Sequence, residues 1–267
     1  MPLIAVEPRV EIYAQDIGDG PPVVLLHGWA FDHRIWDRQV GALADAGHRV
    51  VCVDLRGHGR SDRPYGDYSV ERLGQDVVAV LDTLELEDVT LVGWSLGGLT
   101  AFRVATTSSS RLRRLVLVAS NGVATTRKPT FPFGAPAEAH EEFVITREKA
   151  DRLESRRSLI AGAFAQQPTE ALIARVLELT LATPSWAGAA TLSTLMQTDQ
   201  VAGLADLRVP VAQIVGEKDP IFSHRAGAWL AEQIPDLHRI TLDGCGHYPM
   251  IEAPDAFDAA LLKSASL

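Results

Sequence analysis

Residues 89–98 read Val-Thr-Leu-Val-Gly-Trp-Ser-Leu-Gly-Gly, and this stretch does most to decide the fold. The apolar run at 89–93 predicts a buried strand, and the pattern at 96–106 predicts a helix. Ser95 stands in the turn between them, with a glycine two residues before it and another two residues after it. Because glycine lets neighbouring backbone pass close by, the turn can be tight and can present the hydroxyl at the carboxyl end of the strand. The stretch therefore predicts a serine nucleophile.

The same alternation of strand and helix continues on both sides of this turn. Buried strands are predicted at 22–26, 49–54, 115–119, 209–216 and 237–242. Helices are predicted at 35–46, 70–84, 223–233 and 254–262. Near-continuous apolar runs that alternate with amphipathic helices are typical of an α/β fold, a mostly parallel sheet with helices on both faces. Residues 9–17 alternate in polarity and are predicted to form an antiparallel edge strand.

The alternation stops in the middle of the chain. Residues 125–205 contain no convincing strand, and helices are predicted there at 138–165, 169–181 and 185–198. We therefore expect residues 1–124 and 206–267 to form one α/β core, interrupted by a helical cap, or lid, at 125–205.

A serine hydroxyl is a weak nucleophile and needs a base, which in turn needs a carboxylate to orient it. His247 lies in a glycine-rich loop directly after the last predicted strand, and Asp219 follows the strand before it. The catalytic residues are therefore predicted to be Ser95, Asp219 and His247. Asp243 is the alternative acid, whereas Asn121, at the end of another strand, offers no carboxylate.

Acyl transfer also needs donors for the developing oxyanion. The backbone N–H groups of Leu96 and Trp29 are predicted to supply them. His27 and His58 sit in tight glycine turns and are predicted to hydrogen-bond the backbone there. Cys245 is an alternative nucleophile because it lies two residues before His247.

The charge and composition of the chain disfavour several classes of partner. The chain has 25 Lys and Arg residues against 34 Asp and Glu residues, a net charge of −9, which disfavours nucleic acid and anionic membrane. The first residues lack a basic, then apolar, leader pattern, and no long apolar run predicts a membrane span, so a cytoplasmic protein is expected. No metal-ligand spacing or phosphate-binding loop appears, so no metal or cofactor is expected. The oligomeric state stays open.

Five motifs in order resemble those of the α/β-hydrolase superfamily. They are the oxyanion-loop motif at 27–29, the turn at 54–62, the nucleophile elbow at 93–98, the acid loop at 216–219 and the base loop at 246–247. The resemblance implies an eight-stranded, mostly parallel sheet with a helical cap inserted after the sixth strand, and hydrolysis without a cofactor. Residues 27–29 and 93–98 are similar to pimeloyl carrier-protein methyl ester esterases. Residues 54–62 are similar to small arylesterases and cofactor-free haloperoxidases.

These features together predict a serine hydrolase that cleaves a small-to-medium carboxylic ester through an acyl-serine intermediate. Lactone opening, carbon–carbon bond hydrolysis and perhydrolysis on the same three residues are alternatives, and a non-catalytic binder of a small molecule is a further one. An apolar acyl pocket under the cap is predicted from aromatic residues of the elbow and cap, namely Trp94, Phe131, Phe133, Phe143, Phe164 and Trp186.

Overall fold

One sheet of eight strands forms the centre of the molecule. The computed structural model describes residues 2–222 and 224–266, and for residues 138–143 the backbone alone. The strands are β1 (Leu3–Glu7), β2 (Val10–Ile17), β3 (Pro22–Leu26), β4 (Arg49–Val53), β5 (Val89–Trp94), β6 (Leu112–Val118), β7 (Val211–Gly216) and β8 (His238–Leu242). Their order across the sheet is β1-β2-β4-β3-β5-β6-β7-β8. Strands β1 and β2 run antiparallel to their neighbours and all the others pair in parallel.

Helices cover both faces of this sheet. They are α1 (Asp37–Asp45), α2 (Val70–Thr83), α3 (Leu96–Thr107), α4 (Ala137–Ala150), α5 (Arg152–Ala163), α6 (Glu170–Glu178), α7 (Ser185–Gln197), α8 (His224–Gln233), α9 (Pro249–Glu252) and α10 (Pro254–Ser266). Apolar side chains of α2, α3 and α8 bury one face of the sheet, and those of α1 and α10 bury the other. The predicted fold class is therefore confirmed. Helices α4 to α7 lie between β6 and β7, and we refer to residues 125–205 as the cap segment.

Two local predictions differ from the structure. Strand β1 was not predicted, since its sequence Leu-Ile-Ala-Val-Glu does not alternate in polarity although only Ile4 is buried. It pairs with β2, with Ile4 opposite Ile12. The single helix predicted at 138–165 is two helices. Asp151 breaks it at a φ of −150°, and its side chain accepts a hydrogen bond from the N–H of Glu154 at 3.1 Å, which starts α5. Among the described residues, no helix is long and apolar enough to cross a membrane.

Candidate active site

Ser95 sits at a strained turn between β5 and α3. Its φ of 54° and ψ of −114° place a residue with a side chain in a region that favours glycine. The Ser95 N–H donates to Val118 O on the neighbouring strand at 3.1 Å, which fixes the turn to the edge of the sheet. Leu96 is the first residue of α3, so its N–H has no acceptor within the helix. The turn thus holds the hydroxyl of Ser95 beside the positive end of a twelve-residue helix.

The two glycines of the motif are required by close approaches of backbone. A Cβ atom on Gly93 would lie 2.2 Å from the carbonyl oxygen of Gly97, and a Cβ atom on Gly97 would lie 2.4 Å from that of Leu26. Real Cβ atoms essentially never come so near another heavy atom. The elbow therefore depends on two missing side chains, as the sequence pattern predicts.

His247 and Asp219 are brought together from the ends of β8 and β7. Nδ1 of His247 lies 2.9 Å from Oδ2 of Asp219, and both residues are buried. The other carboxylate oxygen of Asp219 accepts hydrogen bonds from the N–H groups of Ile221 (2.8 Å) and Phe222 (3.0 Å). The ring of Phe222 also stacks on the imidazole with an interplanar angle of 13°. Asp219 is thus held in one orientation, with one oxygen directed at the histidine.

The loop that carries His247 packs closely against the end of β7 and against the cap segment. A Cβ atom on Gly216 would lie 2.2 Å from the carbonyl oxygen of Gly246, and one on Gly246 would lie 2.4 Å from the amide nitrogen of Ala165. The N–H of His247 donates to Ala163 O at the end of α5, at 3.0 Å. Glycine is therefore needed at positions 216 and 246 for close packing.

Glu252 joins the same loop to the cap segment. One carboxylate oxygen accepts the N–H of Tyr248 at 3.0 Å, and the other accepts the N–H of Ala165 at 2.8 Å. We expect Glu252→Ala to lower the free energy of unfolding by about 2 kcal/mol or more, because it removes the acceptor of two largely buried donors. Urea denaturation measures this loss. Glu252→Gln keeps one acceptor oxygen and should lose clearly less; equal losses for the two variants would contradict the bridging role.

Ser95 and His247 line the same cavity, which has a volume of about 290 Å³. We call it the Ser95 cavity. Most of its wall is apolar, and its floor and its cap-side wall come from different parts of the chain. The other lining residues are Trp29, Phe31, Trp94, Thr125, Thr126, Gly134, Ala135, Val144, Arg156, Leu159, Ile160, Ala163, Thr180, Leu192, Leu195, Met196, Pro220, Ile221 and Tyr248.

The aromatic residues predicted for the pocket lie mostly elsewhere. Of the six, Trp94 lines the Ser95 cavity. Phe131 and Phe133 instead pack against Trp229, with ring centroids 5.4 Å and 6.1 Å from it. The predicted pocket is therefore corrected at both residues, because they fill a core beneath α8.

The other three predicted pocket residues are Phe143, Phe164 and Trp186. The ring of Phe164 lies 4.7 Å from that of Tyr248, so Phe164 supports a lining residue without lining the cavity itself. Trp186 is 45% exposed and faces away from the cavity on α7. The side chain of Phe143 lies outside the described residues. Aromatic type alone does not tell which face of a cap helix turns inward.

Two helix faces supply lining residues that the sequence reasoning missed. On α5 they are Arg156, Leu159, Ile160 and Ala163, and on α7 they are Leu192, Leu195 and Met196. Both sets repeat at intervals of three and four residues, the spacing of a single helix face. This periodicity was the available signal for the cap-side wall.

The loop after β3 approaches Ser95 from the other side. A Cβ atom on Gly28 would lie 2.8 Å from the ring of Trp94, so this loop passes directly over the elbow's tryptophan. Trp29 lines the Ser95 cavity, and its indole N–H donates to Gly188 O on α7 at 2.9 Å. The predicted oxyanion donors, the N–H groups of Trp29 and Leu96, thus belong to two segments that meet beside Ser95.

His27 and His58 hydrogen-bond the backbone, as predicted. Nε2 of His27 accepts the N–H of Leu55 at 2.9 Å, and its Nδ1 lies 2.8 Å from Gly28 O. Nδ1 of His58 lies 2.9 Å from Arg56 O. Both rings are completely buried, with centroids 5.0 Å apart. Burial lowers the pKa of His58 to about 3 and also lowers the pKa of His27.

These two histidines make stability depend on pH. Their folded-state pKa values lie below the ordinary value of 6.5, so the unfolded chain binds more protons than the folded one at acid pH. The free energy of unfolding should therefore fall as pH decreases below about 6.5, and His58 should contribute about 1.4 kcal/mol per pH unit down to about pH 3. His27 should act in the same direction. Urea denaturation at about pH 7.5 and about pH 5 measures the slope. His58→Asn should reduce it; a slope unchanged by His58→Asn would contradict the assignment.

Other candidate reactive groups are already engaged. Asp32, His33 and Asp54 lie close enough together to ligate a metal ion. However, Asp54 accepts the N–H of Arg60 at 2.8 Å and pairs with Nδ1 of His33, and Asp32 pairs with Arg34. These contacts connect the segment at residues 32–34 with the turn at residues 54–60.

The thiol of Cys245, the alternative nucleophile, is buried. Its exposed fraction is 1%, and burial raises its pKa to about 12. A thiolate is the reactive form of cysteine, and little of it would exist here near neutral pH. The geometry favours Ser95 over Cys245.

Comparison with known proteins assigns the chain to a family. A family model described as alpha/beta hydrolase fold matches residues 21–254, so this chain belongs to the α/β-hydrolase fold family. The chain is 30% identical to the AB hydrolase superfamily protein YisY of Bacillus subtilis, with 97% of each chain covered. It is 32% identical to a pimeloyl-[acyl-carrier protein] methyl ester esterase of Aromatoleum aromaticum, over 91% of this chain and 96% of that protein. The structure of a bromoperoxidase from Bacillus anthracis superposes with a TM-score of 0.94 at 27% identity, covering 100% of this chain and 99% of the other.

Proposed function

We propose that the protein is a serine esterase that cleaves small-to-medium carboxylic esters through an acyl-serine intermediate. The observation that carries the proposal is the bond between His247 and Asp219, with His247 and Ser95 lining one cavity. The relative named a methyl ester esterase, which covers nearly the whole chain, supports ester chemistry. The net charge of −9 favours a small-molecule substrate over nucleic acid.

The mechanism follows from these positions. Ser95 Oγ attacks the ester carbonyl carbon while Nε2 of His247 takes the hydroxyl proton, and Asp219 stabilises the resulting imidazolium through Nδ1–H. The N–H groups of Leu96 and Trp29 donate to the oxyanion. His247 then returns the proton to the leaving alcohol as the carbon–oxygen bond breaks. Water, deprotonated by His247, attacks the acyl-serine and releases the acid.

The cavity limits the size of the acyl group. We propose that residues 125–205 act as the cap that closes it, because α5 and α7 each supply three of its apolar lining residues. A volume of about 290 Å³ lies at the lower end of the range of about 300–1,000 Å³ that is typical of small-molecule pockets. This space suits an acyl chain of a few carbons together with a small alcohol.

A series of p-nitrophenyl esters of increasing acyl length tests the proposal. We expect kcat/KM for the butyrate to exceed that for the dodecanoate by about tenfold or more, since a chain too long for the cavity displaces the ester carbonyl from Ser95, and a displacement of about 1 Å can cost about 10²-fold in rate. Comparable rates across the series would contradict the size limit. Absence of hydrolysis across the series, together with no labelling of Ser95 by a fluorophosphonate, would contradict the esterase proposal itself.

Perhydrolysis is a second candidate, favoured by the close superposition on a bromoperoxidase. Hydrogen peroxide would replace water, attack the acyl-serine and release a peracid with the serine restored. Assay of peracid formation from acetate and peroxide, with the hydrolysis of p-nitrophenyl acetate measured in parallel, separates the two activities. A peracid rate that vanishes in Ser95→Ala would support this candidate; one that survives would refute it.

A further inference from the structure

The side chain of Trp29 leaves the loop after β3 and enters the cap segment. Its indole N–H donates to Gly188 O at 2.9 Å. The ring packs beside a small apolar cluster that includes Val144 of α4 and Leu192 of α7. The loop beside Ser95 is therefore anchored through a contact between residues 159 positions apart in the chain.

A second bond holds the next residue of this loop. Ala30 has a φ of 65°, a conformation that is uncommon for a residue with a side chain. Its carbonyl oxygen accepts a hydrogen bond at 3.0 Å from the hydroxyl of Thr183, which is completely buried between α6 and α7. The cap segment thus forms hydrogen bonds with both Trp29 and Ala30.

A buried ion pair also lies next to the Trp29 ring. Nε of Arg156 on α5 donates to Oε1 of Glu148 on α4 at 3.1 Å, and Nη2 donates to the same oxygen. Nη1 donates to Thr180 O. The guanidinium carbon lies 5.5 Å from the centroid of the Trp29 ring, within cation–π range. The guanidinium therefore connects two cap helices to the indole.

Close packing around Gly188 fixes this arrangement. A Cβ atom there would lie 2.5 Å from Oε1 of Glu148 and 2.8 Å from Nη2 of Arg156. The residue that accepts the indole N–H therefore also touches both members of the ion pair. Trp29, Gly188, Arg156 and Glu148 form one contact group, which we call the indole clamp.

Stability alone does not account for a charged pair here. The side chains of Arg156 and Glu148 are both completely buried. Burial raises the pKa of Glu148 and lowers the pKa of Arg156, because removal of water disfavours the charged form of each side chain. Buried ion pairs can often be replaced by apolar side chains without loss of stability. What an apolar pair could not supply is a planar cation over the indole with directed hydrogen bonds.

We propose that Arg156 and Glu148 are positioning residues that hold the Trp29 indole, and thereby the Trp29 N–H, in place for the oxyanion. The inference rests on the proposed function, because this N–H serves as an oxyanion donor only if Ser95 attacks a carbonyl group. The cap then contributes to the chemical step as well as to substrate binding. A shift of about 1 Å in a catalytic group can cost about 10²-fold in rate.

The first test is the double variant Arg156→Met with Glu148→Leu. Both charges are removed together because a single substitution would leave one buried charge unpaired. We expect kcat on p-nitrophenyl butyrate to fall by about 10- to 100-fold, with a much smaller change in KM and little change in the urea midpoint. Arg157→Met is the matched control: Arg157 is the next residue on α5, pairs with the exposed Glu170, and should leave kcat unchanged. A folded double variant with wild-type kcat would overturn the proposal.

The second readout does not depend on activity. Hydrogen exchange measured by mass spectrometry on the peptide that contains residues 28–31 should be faster in the double variant and unchanged in Arg157→Met. If the double variant fails to fold, Trp29→Phe decides, since it keeps a ring but loses the bond to Gly188; wild-type exchange and kcat in that variant would overturn the clamp. If the wild-type protein hydrolyses no ester, the proposed function fails, and the exchange result alone then supports or refutes the clamp.

Discussion

Ser95→Ala should lower kcat for ester hydrolysis by about 10⁴-fold or more, since without the hydroxyl no acyl-enzyme can form and only binding and oxyanion stabilisation remain. Folding should be unaffected. Alanine carries the same Cβ atom at a φ of 54°, so it bears the same backbone strain as serine. Initial rates on p-nitrophenyl butyrate give the loss in kcat, and urea denaturation checks the fold.

The matched control is Ser110→Ala. Ser110 is an exposed serine near the start of β6, and its replacement should change neither rate nor stability. A fluorophosphonate should add its mass to the peptide that contains Ser95 in the wild type and in the control, and to no peptide in Ser95→Ala. Wild-type hydrolysis by Ser95→Ala would remove the nucleophile from the mechanism.

Asp219→Asn should lower kcat by about 10³- to 10⁴-fold, and the geometry gives the reason. One oxygen of Asp219 accepts the N–H groups of Ile221 and Phe222, so the amide oxygen of asparagine must take that place. The amide NH₂ then faces Nδ1 of His247, which has to accept a hydrogen bond instead of donating one. Nε2 consequently carries the proton and cannot receive one from Ser95.

Asp243→Asn is the matched control for this variant. Asp243 was the alternative acid from the sequence, and it is exposed at the end of β8. Its replacement should leave kcat within about twofold. Steady-state kinetics of both variants, with urea denaturation to verify folding, distinguishes the two carboxylates. A large loss in Asp243→Asn with little loss in Asp219→Asn would transfer the acid role to Asp243.

Much of the core could be predicted because its signals are local. Parallel strands are buried on both faces, so the runs before Ser95 and before Asp219 stand out as apolar stretches. The glycines around Ser95 stand where neighbouring backbone comes so close that no Cβ atom would fit. Strand β1 was not predicted, since its exposed position Leu3 is as apolar as its buried position Ile4 and no alternation results.

The cap segment was predicted less well, since its helices bury two faces. Helix α4 contacts α5 and α7, and α5 contacts α6, so apolar residues of these helices face one another as well as the Ser95 cavity. Phe131, buried beneath α8, and Trp186, 45% exposed, have the same kind of side chain and different surroundings. Arg156 could not be singled out from the sequence, because arginines on a helix are usually solvated and Arg152 and Arg157 stand on the same helix.

The sequence by itself determined the α/β core, the order of Ser95, Asp219 and His247, and the turn that strains Ser95, because each depends on hydrophobic period or on glycine at a defined spacing. Only the tertiary structure decided which cap residues face the cavity and that Arg156 lies against Trp29. Those contacts join segments more than a hundred residues apart, and they are set by how helices pack on one another. The hydrophobic pattern within a single helix does not show which other helix it packs against.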